Sequence, residues 1–214
     1  ASRGLGDVYK RQVGAYVTFD TQENQIVEAK ISSSFISHEQ AWINLNRELP
    51  DSKNFNDIKN EGRKTWNDEL SKIKVESDNT DYGISNKTKF YSCFYRTILF
   101  PRQFHEYDEN GKQIHYSPYN GKILDGPLYT DNGFWDTFRA VFPFYSILYP
   151  EKLGEIMQGI MVNPYLESGW LPEWSSPGHR DCMIGSNSAS IIAEAYIKGI
   201  KNFDIETAYQ GILN

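Results

Sequence analysis

Two stretches of this sequence concentrate residue types that bind polar ligands. The first is Phe134-Trp-Asp-Thr-Phe-Arg139, which opens an apolar run reaching Leu148 in which Asp136 and Arg139 are the only charges. A carboxylate and a guanidinium inside such a run are costly to bury unless they pair with each other or line a wet cavity. Read as one helix over 134–148, the run is apolar almost all round and belongs inside the domain. Spacing i, i+3 puts both charges on one face, which fits a mutual ion pair. It fits equally a polar spot in an aromatic wall, with Trp135 beside it to cover a sugar ring.

The second stretch runs from Glu167 through Trp170, Glu173, Trp174, Pro177, His179, Arg180 and Cys182 to Gly185. Gly, Pro and Trp at this density do not form a regular element, and a loop carrying two tryptophans uses them to pack or to bind. Trp170 and Trp174 read as a stacking platform, with His179, Arg180 and Glu173 supplying hydrogen bonds. The competing reading plugs one tryptophan into the core and pairs Arg180 with Asp181. Glycoside hydrolysis needs two carboxyl groups across the scissile bond, and Asp136, Glu173 and Asp181 are the acids available here. Spacing in sequence does not set their separation. His38, His105, His115 and His179 lack zinc-ligand spacing, and His105 and His115 read as surface residues. Phosphate-loop, EF-hand and nucleophile-elbow motifs do not occur.

The elements that must position these stretches follow from periodicity. Val27, Ala29, Ile31, Ser33 and Phe35 alternate with polar residues, which predicts a two-stranded antiparallel remnant over 15–35 turning at Thr21 to Asn24. Ser37-His-Glu-Gln40 fits a capping box opening a helix that stops before Pro50. Phe55, Ile58, Trp66, Leu70 and Ile73 make an amphipathic helix, and another is expected over 86–100. Asn110-Gly111 and Asn120-Gly121 punctuate hairpins. Helices then follow over 134–148, 151–162 and 188–198, the last ended by Gly199, and from Asp204 onward. A β module feeding an α-helical domain is the architecture this order implies, as a helical toroid or a plain bundle.

The 214 residues, 39% hydrophobic and 23% charged, suffice for one sizeable globular domain or two small ones. No apolar stretch nears the roughly 20 residues that span a bilayer. Net charge of −6 gives no general attraction for phosphate backbones, which argues against nucleic acid as a partner. Cys93 and Cys182 can form at most one disulfide. Residues 1–12 read as translated adapter sequence or as a native tail, and the helix begun at Asp204 has no stop signal, so the chain is expected to end in mid-domain.

Phe134-Trp-Asp-Thr-Phe-Arg139 with Phe142-Pro143, Gly169-Trp-Leu-Pro-Glu-Trp174, Cys182-Met-Ile-Gly185, Ala195 to Ile200 and Phe203-Asp204 come in the order found in glycoside hydrolase family 92. Ser34 to Ser37, Tyr91 to Arg96 and Asp108 to Gly111 are similar to that family too, so the resemblance covers about Val13 to Asn214. It implies calcium-dependent exo-α-mannosidases that act with inversion, built from an N-terminal β-sandwich and an (α/α)6 barrel. On that frame residues 13–36 are a sandwich remnant, 37–80 linker helices and 81–214 the first part of the barrel.

The family's general acid and base lie in Gly-Asn-Glu-Pro and Gly-Asn-Asp/Glu-Asp-x-Gly type motifs that do not occur here, so no catalytic residue is assigned to this chain. The resemblance places Trp135, Asp136 and Arg139 in the wall that holds a terminal mannose. Trp170, Trp174, His179 and Arg180 become its rim. It further implies α-mannose-containing glycans as partners, calcium as cofactor without identified ligands, and export from the cell. The other readings are a trehalase- or glucosidase-like (α/α)6 enzyme, and a carbohydrate-binding or scaffolding protein without catalysis.

Overall fold

The computed structural model describes residues 16–180 and 182–214; the readings made for residues 1–12 and for Asp181 lie outside them. Helix accounts for about 48% of the chain, so the mixed, mainly helical reading holds. Among the described residues the order is α1 (His38–Glu48), α2 (Phe55–Leu70), α3 (Asp81–Thr97), a group of short strands, then α4 (Phe134–Thr137), α5 (Val141–Leu148), α6 (Pro150–Met157), a π-turn (Gln158–Val162), α7 (Asn163–Ser168), α8 (Asn187–Ile197) and α9 (Ile205–Leu213).

The helix starts follow local chemistry. Ser37 accepts from Gln40 N at α1, Asn54 and Asp57 exchange bonds at α2, and Asp204 accepts from Thr207 N at α9. At α1 the expected box is half formed. The Gln40 side chain is buried and donates to Asn44 Oδ1 (2.9 Å) and Tyr107 O (2.7 Å) instead of reaching back. Gly199, at φ +84°, turns the chain out of α8 as its position predicted.

The paired strands expected over 15–35 do not form in the described part. Residues 16–36 form no ladder, although the turn expected at Thr21 to Asn24 is made, with Gln25 N bonded to Gln22 O (3.1 Å) and Asn24 at φ +64°; Ile26 and Ile31 are each 85% exposed. A lone two-stranded ribbon with nothing against its apolar face is marginal in water. The segment is held instead by side chains. Glu106 accepts from Ser34 Oγ and Phe35 N, Asn44 donates to Ser33 O, and the Phe35 ring stacks on Phe104 at 4.3 Å.

The hairpins do form. Strands β1 (Arg102–Gln103), β2 (Glu106–Tyr107), β3 (Gln113–Tyr116), β4 (Ile123–Asp125) and β5 (Tyr129–Thr130) pair antiparallel in the orders β1-β5 and β2-β3-β4. Gly111 and Gly121 take the positive φ their tight turns need. The last pair, β6 (Asn132–Gly133) with β7 (Trp174–Ser175), aligns Gly133 with Trp174 and so joins the two stretches singled out above.

The run 134–148 is two helices, not one. Pro143 has no N–H to give to Arg139 O, and its ring would clash there, so it is tolerated only in a first turn. The chain breaks at Ala140 (φ −146°, ψ −40°) and restarts at Val141. Pro164 poses the same problem two helices later, and the chain solves it differently. Over Gln158–Val162 the ladder widens to i→i+5, with Asn163 N bonded to Gln158 O, and helix continues to Ser168, beyond the end expected at Val162. The core gathers around this segment, where Leu153, Met157, Ile160 and Met161 pack with Phe134, Phe142 and Ile191.

Candidate functional site

The break at Ala140 decides where the first stretch sits. Phe134 is fully buried, but Trp135 is 43% exposed and Asp136 and Arg139 are exposed. This corrects the expectation of a buried charged pair: Asp136 and Arg139 make no ion pair. Arg139 Nε donates to Trp135 O (3.1 Å), and its guanidinium lies 4.5 Å over the Trp135 ring and 4.7 Å over Phe138. Asp136 has no hydrogen-bond or ion-pair partner among the described residues. The result is an exposed carboxylate next in sequence to an aromatic ring that a guanidinium covers.

The second stretch divides. Trp174 is partly buried, its ring lying so close on Gly133 that an added Cβ would stand 2.7 Å from Cε3. Trp170 is 62% exposed. Trp174 thus packs under the first stretch while Trp170 stands at the surface. His179 is exposed, with Nε2 2.8 Å from Ser168 Oγ and its ring 4.7 Å edge-on to Tyr119. Arg180 is exposed, and its backbone N–H donates to Trp174 O (3.1 Å).

Glu173 has a structural task. Its carboxylate accepts from Asn187 N (2.9 Å), Ser188 N (3.4 Å) and Ser188 Oγ (2.7 Å), which satisfies the first turn of α8, where Ser186 provides no side-chain cap. A negative charge at a helix N-terminus is favourable in its own right. Its backbone carbonyl also receives Phe134 N (3.2 Å). Glu173 thus ties both stretches to α8.

Between the hairpins and the helices that follow lies a network the sequence pattern did not reveal. His105 and His115 are buried, not surface residues as expected, because the link between β1 and β2 and strand β3 turn these side chains inward against α6 and α7. His115 Nδ1 is 2.9 Å from Gly126 O, which can only accept, so this nitrogen donates; Nε2 is 2.9 Å from Glu167 Oε1. The other oxygen, Glu167 Oε2, is buried without a hydrogen-bond partner among the described residues. Tyr119 OH approaches Ser175 Oγ at 3.3 Å, and burial pushes its pKa up to about 12, so it stays protonated. No regular spacing links residue 115 to residue 167, so periodicity gave no signal for this pair.

Residues 40–214 match the glycosyl hydrolase family 92 catalytic domain. The chain belongs to glycosyl hydrolase family 92. It is 49% identical to a family 92 inverting mannosidase of Bacteroides thetaiotaomicron, with a TM-score of 0.78 over 84% of this chain and 24% of that one. A family 92 α-mannosidase of the same bacterium is 28% identical, at a TM-score of 0.70 over 84% of this chain and 23% of that one. An uncharacterized secreted glycosidase of Arthroderma benhamiae is 26% identical across 99% of this chain and 23% of its own length. The chain therefore spans about a quarter of the length of these relatives. Membership makes it part of a glycosidase family, and the mixed fold is the one these structures share.

Among the described residues no group of three or more His, Cys, Asp or Glu side chains is placed to hold a metal, whereas calcium takes six to eight oxygen ligands. Cys93 and Cys182 are both free and exposed. Among the described residues no helix is long and apolar enough to cross a membrane.

Proposed function

We propose that this chain supplies part of the mannose-binding wall of an inverting exo-α-mannosidase that releases terminal α-mannose from glycans and works outside the cell. The observation that carries this reading is the 49% identity, over 84% of the chain, to an inverting mannosidase. The secreted relative supports export. Asp136, open and unpaired, would accept hydrogen bonds from sugar hydroxyls, with Arg139 donating beside it and Trp135 covering the ring face. Trp170, His179 and Arg180 would form the rim, and Trp174 would support it from below. The sandwich remnant, linker helices and first part of an (α/α)6 barrel describe the architecture on this reading.

Catalysis of the inverting kind needs an acid and a base roughly 6.5–9.5 Å apart. Glu173 is committed to the N-terminus of α8 and is not offered as either. Asp136 is assigned to binding, and we assign the acid, the base and the calcium ligands to none of the described residues. Titrating the chain with methyl α-mannoside, followed by tryptophan fluorescence, should show saturable binding that Asp136→Asn weakens about tenfold, the loss of one charge-assisted hydrogen bond. An aryl α-mannoside with calcium should not be turned over. Binding indifferent to Asp136→Asn, or turnover by the parent chain above that of the Asp136→Asn control, would overturn this assignment.

A further inference from the structure

Asparagine followed by glycine is prone to attack itself, because glycine lacks the Cβ that would keep its backbone nitrogen away from the asparagine side-chain carbonyl. The sequence holds three such pairs, Asn110-Gly111, Asn120-Gly121 and Asn132-Gly133. The first two are followed by the same residue type, Lys112 and Lys122, so their covalent surroundings give them nearly the same intrinsic reactivity. The fold treats them differently.

Asn120 is exposed in the turn joining β3 to β4, where Gly121 N donates to Ser117 O (3.0 Å). Its Oδ1 accepts from Lys122 N (3.0 Å), and its amide nitrogen has no hydrogen-bond partner among the described residues. Attack at Cγ turns that oxygen into an oxyanion, so the Lys122 N–H already stands where negative charge develops. The nitrogen that must leave is untethered. Around Gly121 there is room, the nearest atom to a Cβ built there being the Tyr116 hydroxyl oxygen at 3.5 Å.

Asn110 is exposed too, in the turn joining β2 to β3, where Gly111 N donates to Asp108 O (3.0 Å). Both turns therefore have to release the attacking nitrogen. The electrostatics are opposite. Asp108 Oδ1 accepts from Lys112 N (2.8 Å) and Asn110 N (2.9 Å), and the carboxylate also takes the Asn110 side-chain amide. These bonds, that from Lys112 N first, hold the Asp108 carboxyl below the usual carboxylate range, so it is charged at neutral pH. That charge, with Glu109 beside it, opposes an anion forming on Gly111 N or Asn110 Oδ1. Asn132 is shielded altogether: it is 4% exposed, its Oδ1 accepts from Thr137 Oγ1 (2.7 Å), and Gly133 lies against the Trp174 ring.

We propose that Asn120 is a site of self-modification, at which Gly121 N bonds to Asn120 Cγ and the Cγ–Nδ2 bond breaks. Ammonia leaves, carrying the Gly121 amide proton, and one water then opens the succinimide to aspartate or isoaspartate. The product adds one carboxylate to a chain of net charge −6. The isoaspartate form also lengthens the backbone by one methylene, next to Tyr119, which reaches Ser175 and His179. No part of this chemistry depends on the mannoside reading.

Incubating the full chain in mildly alkaline buffer, then measuring amide-to-acid conversion at each asparagine by peptide mass spectrometry, tests this, with a parallel incubation in concentrated urea. In the folded chain Asn120 should convert about tenfold faster than Asn110. Asn132 should be over about a hundredfold slower than Asn120, since β6 must open first. In urea the rates of Asn110 and Asn120 should converge and that of Asn132 should rise to join them. Conversion of Asn110 as fast as Asn120 in the folded chain, no conversion of Asn120 there, or a ranking that survives in urea would each overturn the proposal.

Discussion

The same substitution, Gly→Ala, should have opposite effects at two glycines, and the difference tests the contact that joins the two chemistry-bearing stretches. At Gly133 the backbone is ordinary extended chain (φ −107°, ψ 117°), so alanine meets no conformational obstacle. The obstacle is steric, because its Cβ would stand 2.7 and 2.8 Å from Cε3 and Cζ3 of Trp174. Carbon contacts settle near 3.5–4.0 Å, so ring or strand must move by about 0.8 Å or more. Trp174 cannot retreat easily. Its backbone pairs with Gly133 in β7, its carbonyl receives Arg180 N, and its neighbour Glu173 is fixed on α8. Overpacking of this kind costs about 1–3 kcal/mol, from which the reduced entropy of the unfolded chain returns about 0.5–1 kcal/mol. Gly133→Ala should therefore be about 1–2 kcal/mol less stable. Gly62, inside α2 with nothing within 4 Å of its would-be Cβ, is the counterpart. There alanine should add about 0.5–1 kcal/mol through helix propensity. Urea denaturation followed by far-ultraviolet circular dichroism reads both without depending on tryptophan emission. A Gly133→Ala variant as stable as the parent would show that the Trp174 ring is free to move, and the coupling of the two stretches would have to be abandoned.

Two further expectations concern groups buried in the same body. Glu173→Ala should cost about 2 kcal/mol by stripping the acceptors from the first turn of α8, and Glu173→Gln about 1 kcal/mol, because one acceptor oxygen survives and the charge does not; denaturation midpoints decide, and an alanine variant within 0.5 kcal/mol of the parent would refute the capping role. Burial holds the pKa of His105 below its ordinary 6.5, so as pH falls below that value the unfolded chain takes up the proton first and stability declines toward the folded pKa. His105→Phe should flatten the dependence of stability on pH below 6.5, and parallel profiles for variant and parent would contradict this.

Helix ends were legible because they are local: Ser37 and Asp204 at starts and Gly199 at a stop act on neighbours within four residues. Trp135 and Asp136 were legible as a pair of interest, but their exposure was not. It depends on how far back the influence of Pro143 reaches, and a helix drawn by hydrophobicity alone runs straight through it. The strand readings over 15–35 failed for a different reason. Alternation reports that one face wants a partner, and it does not say whether a partner is there. His115 and Glu167 were invisible in sequence, since a bond across 52 residues is made by the tertiary path of the chain.

The π-turn in the long helix has a consequence for how that helix is counted. One extra residue in a ladder of 3.6 per turn sets everything beyond it out of phase by about 100°. Before the turn, Leu153 and Met157 keep the core phase; after it, Asn163 can donate to Pro127 O and Glu167 can meet His115. In this segment the number of residues is itself structural information, separate from their identity. Removing any single residue between 158 and 162 would swing Glu167 away from its partner although both Glu167 and His115 are kept.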